Sequence, residues 1–323
     1  MSILFNLGII SFLVPLIQRG VKNVWGDATE AIRDERSQMS SMLRGFGWGV
    51  IWSPTAIAPV ILIELLPEAD RKLWMVYGFA IFLFMALVNF LEEGRRLQGV
   101  ARGPDLSPVP LLAVLNVAAV CLGLLGLAEL IAHQVSQGLV FGLMCASPVV
   151  LFVWLFAQQI RGGARAAGRI GEVFAILPES TSVAVTLASS GYCGTLAARL
   201  VPTEATADFL NLAAIPDPVL LLMLPALIVG TSFIAITPIM SSVFLGSFFG
   251  SLPILPADPT LIALAISCGW ALSVILAPFA TLVLLTAQIS GRPAKMITII
   301  WNGRYGLITF ALLLPIFAIL NAL

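Results

Sequence analysis

GFGWGVIWSPTA, residues 45–56, sets Ser53, Pro54 and Thr55 inside an otherwise apolar run. A proline in mid-helix removes a backbone hydrogen bond and clashes with the preceding turn. In hydrocarbon each unsatisfied backbone group costs several kcal/mol, so a broken helix survives only where protein or a water-lined cavity covers it. The chemistry such a break offers is ion binding: freed N–H groups hold an anion, and freed carbonyls hold a cation. Ser53 and Thr55 add hydroxyls on both sides of Pro54. The blander reading is a kinked helix whose hydroxyls satisfy its own backbone. Glu179 lies in the hydroxyl-rich LPESTSVAVTLASSGYCGT, residues 177–195, where it would either relay a proton or satisfy a buried hydroxyl cluster. His133 is the only histidine and reads as solvated, so no metal or cofactor site is expected.

These residues sit in a strongly apolar chain. Of 323 residues 59% are hydrophobic and 11% charged, with a mean hydropathy of +1.02; a soluble domain carries about 25% charged residues. The class is therefore an integral membrane protein. Seventeen basic and seventeen acidic residues balance, which gives no hint of a nucleic-acid partner. Cys121, Cys145, Cys193 and Cys268 stand singly and read as small packing residues. MSILFNLGIISFLVPLI lacks a basic n-region and a cleavage site, so it reads as a first, short membrane segment.

Apolar runs fall at 3–17, 46–66, 73–91, 109–132, 138–160, 172–200, 218–250, 259–289 and 306–322. The expected fold is an all-α polytopic membrane protein of about 8–10 transmembrane helices or broken, re-entrant segments. Basic loops mark the inner face: 18–45 with Arg19, Lys22, Arg33, Arg36 and Arg44; Arg95, Arg96 and Arg102; Arg161, Arg165 and Arg169; Arg292, Lys295 and Arg304. The turn at His133 to Gln137 and the loop 201–217, with Glu204, Asp208 and Asp217, have no Lys or Arg and fall outside. For this order to alternate, 218–250 must begin and end on one face, and GTSFIAITP at 230–238 supplies a break. The other reading is one long tilted helix kinked at Pro238. Glu64 and Glu129, near span ends, are expected to reach the headgroups.

The opening stretch has a second copy. GWALSVILAPFA, residues 269–280, aligns at an offset of 224, matching Gly45 with Gly269, Pro54 with Pro278 and Ala56 with Ala280. Past the motif RKLWMVYG, 71–78, lies over KMITIIWN, 295–302. The first copy runs outward and the second inward, which is the pattern of an inverted repeat, an architecture of secondary transporters. The division expected is a first, N-terminally shortened repeat at 1–105, connecting helices at 106–165 and a second repeat at 166–323. Partners for 172–200 would fall before residue 1, so the first repeat is expected to lack its opening helices, as in a fragment, a sequence begun at a late start or a reduced relative.

Three pieces, RGFGWGVIWSPTAIAPVIL at 44–62, ITPIMSSVFLG at 236–246 and GWALSVILAPFATLVLL with WNGR within 269–304, resemble the ion transporter superfamily of secondary carriers. The resemblance implies re-entrant hairpins, elevator-like motion and a site lined by Ser53, Pro54, Thr55, Thr237, Pro238, Ser241, Pro278 and Thr281. The Ser-Asn-Thr signatures of its best-known carboxylate carriers are missing, which puts sodium coupling and a dicarboxylate substrate in doubt.

The function expected is secondary transport of a small anionic solute across the inner membrane, coupled to H+ or Na+, by a chain that pairs with lipid and forms a homodimer in one expected assembly. A non-transporting or fragmentary subunit and a polytopic transferase acting on a lipid-linked substrate are the alternatives; spread acids and a single histidine make the transferase hard to assemble. No P-loop motif occurs, so an enzyme that hydrolyses ATP is not expected.

Overall fold

The computed structural model describes residues 2–26, 29–53, 56–96, 111–162, 181–202 and 215–323. Regular structure among them is helical, without a strand. In chain order the elements are α1 (Ser2–Trp25), α2 (Thr29–Gly49), α3 (Ile57–Leu65), α4 (Arg71–Arg96), α5 (Leu111–Val135), α6 (Leu139–Gly162), α7 (Thr181–Leu200), α8 (Asp217–Phe233), α9 (Pro238–Gly250), α10 (Pro259–Leu276), α11 (Thr281–Ser290), a π-helical segment (Met296–Asn302) and α12 (Gly303–Ala322). Three stretches of the described residues, Arg71–Arg95, Pro259–Ser290 and Met296–Ala322, are long and apolar enough to cross a membrane.

The chain forms two compact units. One comprises Leu106–Ser189 with Met1–Leu4. Its centre is the pair α5 and α6, where small residues let the backbones touch: a Cβ on Gly142 would run into the carbonyl of Ala128, with Ala132 beside it.

The other unit, Phe5–Asp105 with Ser190–Leu323, contains both copies of the broken motif. Its core is built around α10, in which every residue from Thr260 to Ile275 is buried. A helix that is apolar all round has no solvent face to present and must be enclosed; α2, α3, α4, α8, α9 and α12 pack around this one. Asp258 starts it, accepting from Thr260 N at 2.8 Å and Leu261 N at 3.1 Å, with Pro259 in the first turn where its missing N–H costs nothing.

Both copies of the motif are broken, and the helices after the breaks resume at matching places. The α2 helix ends at Gly49 and α3 resumes at Ile57; α10 ends at Leu276 and α11 resumes at Thr281. The residues before the resumed helices, Ala56 and Ala280, are counterparts at the offset, and both are extended, with ψ of 148° and 132°.

One expectation changes. The apolar stretch ending at residue 17 continues as helix to Trp25, and most of 18–45 is helical rather than loop. Polar residues of α2 are held by tertiary partners: Glu35 receives Arg292 Nη2 at 2.5 Å and Gln18 Nε2 at 3.0 Å. The stretch 218–250 turns back as a helical hairpin, as the alternation of faces requires, and not as the alternative single kinked helix. Thr231 Oγ1 and Ser241 Oγ lie 2.8 Å apart across its turn, whereas residues ten apart in a continuous helix are separated by about 15 Å. Ala235, at φ 67°, and Pro238, opening α9, turn the chain.

Candidate functional site

The helix resumed after the first break, α3, packs against the second arm of the hairpin, α9. A Cβ on Gly246 would meet Leu62 Cδ2 and Leu65 Cδ1 at 3.0 Å; one on Gly250, a turn later, would run into the Leu65 carbonyl and approach Leu66. The contact advances in the same sense along both helices, so they run parallel. Counting back at 1.5 Å per residue, their starts at Ile57 and Pro238 lie about 5 Å out of step along the shared direction, roughly one turn.

Two half-helix N-termini therefore point the same way, side by side. Each helix start carries roughly half a positive charge and unpaired N–H groups, and two together favour an anion. Ala56 provides α3 with no side-chain cap. Thr237 caps α9, accepting from Met240 N at 3.3 Å. Ser242, one turn before Gly246 on the row that faces α3, is fully buried, and its hydroxyl has no hydrogen-bond partner. A buried hydroxyl without a partner costs about 1–3 kcal/mol, a cost that a ligand oxygen would relieve.

Of the residues expected to form a site, Thr237, Pro238 and Ser241 come together at the hairpin, where Ser241 is occupied by Thr231. Ser53 is half-buried at the approach to α3, its N–H donating to Gly49 O at 3.2 Å. Pro278 is buried in the second break, but Thr281 is exposed. The α11 helix, like α3, begins without a side-chain cap. Pro54, Thr55 and Glu179 lie outside the described residues, as do Arg102, Arg165, Arg169, Glu204 and Asp208. Glu64, Glu129, His133 and Arg304 are exposed. Cys268 is buried in α10, while Cys121, Cys145 and Cys193 are exposed, so only Cys268 packs in a core.

The structure adds a charged cluster that the sequence reading did not assemble. Arg44, treated above as a marker of the inner face, is 1% exposed. Its Nη1 reaches Asn89 Oδ1 at 2.8 Å, Glu92 Oε2 at 3.0 Å and Glu93 Oε1 at 3.1 Å. Its Nε donates to Asn302 Oδ1 at 2.7 Å and its Nη2 to Trp301 O at 3.3 Å, with the guanidinium 4.1 Å over the Tyr305 ring. The available signal was an arginine at the head of the apolar motif and the Glu92–Glu93 doublet closing an apolar span, each expensive in a membrane unless paired.

The chain matches no family model, no curated protein and no solved structure. The functional reading therefore stands on the geometry. Among the described residues no group of three His, Cys, Asp or Glu side chains converges as metal ligands would. The buried cation donates to acceptors on α4 and the π-helical segment and stacks over the Tyr305 ring of α12, which suits a brace between them better than a site for a free solute. The paired starts of α3 and α9 are the place where a solute could be held.

Proposed function

We propose that this protein is a secondary transporter of a small anionic solute, multi-pass in the cell inner membrane and working by elevator-like alternating access. The observation that carries the reading is the pair of parallel half-helix starts, α3 and α9, beside the unpartnered Ser242 hydroxyl. Backbone N–H groups and helix dipoles select negative charge without a fixed cation. Support also comes from the breaks at Ala56 and Ala280, which recur at the 224-residue offset and suit an inverted repeat of about 8–10 crossing or broken segments. In this reading the unit containing both breaks carries the solute, and the unit built on α5 and α6 is the scaffold.

The test is thermal stabilisation of the purified protein by a panel of inorganic and carboxylate anions, followed by uptake of the stabilising anion into proteoliposomes under an imposed H+ or Na+ gradient. A ligand selective for the folded state at 100 times its Kd adds about 2.7 kcal/mol. Stabilisation and gradient-dependent uptake that both fail in a variant with Thr237 replaced by Trp support the proposal; uptake unchanged in that variant overturns the site. Uptake of no anion under either gradient overturns the function.

A further inference from the structure

The π-helical segment Met296–Asn302 follows a single short turn at 294–295 and opens the helix that continues to Ala322. Such segments are rare, and where they occur they often mark functional sites. This one is gripped by α2. Arg36 Nη2 donates to Ile300 O at 3.2 Å, and Arg44 Nη2 donates to Trp301 O at 3.3 Å. Arg44 Nε holds Asn302 Oδ1 at 2.7 Å, and the amide of that same Asn302 donates to Ile297 O, five residues back, at 2.8 Å. Arg44 is itself fixed to α4 through Asn89, Glu92 and Glu93.

The repeat provides an internal control. At the 224-residue offset 296–302 corresponds to 72–78, which is plain α-helix within α4. The counterparts of Arg36 and Arg44 are Thr260 and Cys268, neither of which offers a guanidinium. The π form occurs in the segment that the arginines of the opposite repeat reach, and is missing from 72–78, where the corresponding positions of the opposite repeat are Thr260 and Cys268.

Downstream the run is anchored. Gly306 packs against the Leu276 side chain, and Tyr305 OH donates to Met85 O at 3.0 Å. A change of register must therefore emerge upstream, toward Pro293, Lys295 and the end of α11. In the π form Ile297 and Thr298 are both fully buried. An α-helix extended back from Tyr305 at about 100° per residue would keep Thr298 on the buried side and swing Ile297 out.

We propose that Met296–Asn302 is a register switch, latched in the π form by Arg36 and Arg44, whose release relaxes the segment to α-helix, turns Ile297 out of the core and displaces the end of α11. The inference does not depend on transport. It is tested by thiol labelling of purified protein whose four cysteines have been replaced, carrying Ile297→Cys or Thr298→Cys. The latch is removed by Arg36→Gln together with Arg44→Met, Glu92→Gln and Glu93→Gln, which avoids stranding buried charge. Labelling of Ile297→Cys is expected to rise about tenfold while Thr298→Cys stays protected, as a shift between two populated states would give. Deleting the exposed Ile299 removes the extra residue and should abolish the rise. Unchanged labelling, equal labelling at both positions, or a rise that survives the deletion overturns the switch.

Discussion

Gly47 lies against Ala271, its own counterpart at the 224-residue offset: a Cβ on Gly47 would stand 2.9 Å from the Ala271 carbonyl oxygen and 3.0 Å from Ile275 Cγ1. In a pair of elements related by a two-fold axis, only residues near the axis touch their own equivalents. The helices α2 and α10 thus cross at matching points, and each ends within two turns beyond the crossing, α2 at Gly49 and α10 at Leu276.

Gly47→Ala is expected to destabilise the protein by about 1–3 kcal/mol, because the obstruction is backbone and cannot rotate aside. Gly45→Ala, two residues away with nothing within 4 Å of its Cβ, is the control. It should be neutral or stabilising by up to about 1 kcal/mol, since alanine is the better helix former. Thermal melts of the two variants decide it: equal melting temperatures would show that the crossing is not close-packed.

Arg44→Ala takes the guanidinium from the buried Glu92 and Glu93, which are 8% and 7% exposed, and should cost about 3–5 kcal/mol. Arg44→Lys should recover little, because an ammonium cannot serve Asn302, Trp301 O and the carboxylates at once or stack over Tyr305 in the same way. Combining Arg44→Met with Glu92→Gln and Glu93→Gln should restore most of the lost stability. Denaturation of the four proteins in one detergent would check the order; a lysine variant as stable as the parent would refute the forked arrangement.

At the hairpin, Thr231→Val and Ser241→Ala are expected to be coupled rather than additive. Their hydroxyls meet at 2.8 Å, although Thr231 also returns to Leu227 O and Ile228 O. A double-mutant cycle should show about 0.5–1.5 kcal/mol of interaction, and additivity within error would mean that the turn does not depend on this contact.

Ser242→Ala separates stability from binding. Removing a buried hydroxyl that has no partner should leave the melting temperature unchanged or raise it. If that hydroxyl holds the solute, stabilisation by the effective anion should fall by about 1 kcal/mol or more. Gly250→Val, by contrast, pushes α9 from the Leu65 carbonyl and should weaken both. Full anion response in Ser242→Ala would remove Ser242 from the site.

What could be read in advance followed from local sterics. A proline at 54, 238 or 278 lacks the N–H and fills the space that a continuing helix requires, so the regions of the breaks were legible, although α2 and the first hairpin arm end several residues earlier, at Gly49 and Phe233, and Pro15, Pro148, Pro225 and Pro315 lie inside helices. At Pro238 the alternation of basic loops favoured a hairpin over a kinked helix, and the contact between Thr231 and Ser241 agrees with it. The segment 18–45 misled for a related reason: its charges read as loop because their partners lie far along the chain.

The sequence by itself determined an apolar helical class and the positions of the breaks, because composition and backbone chemistry act over a few residues. Only the tertiary structure decided that α3 and α9 start side by side, that Ser242 is buried without a partner, and that Arg44 is a brace rather than a surface anchor. The partners of Arg44 are 45 to 258 residues away. Pairings at such separations depend on how whole helices pack, and no local pattern encodes them.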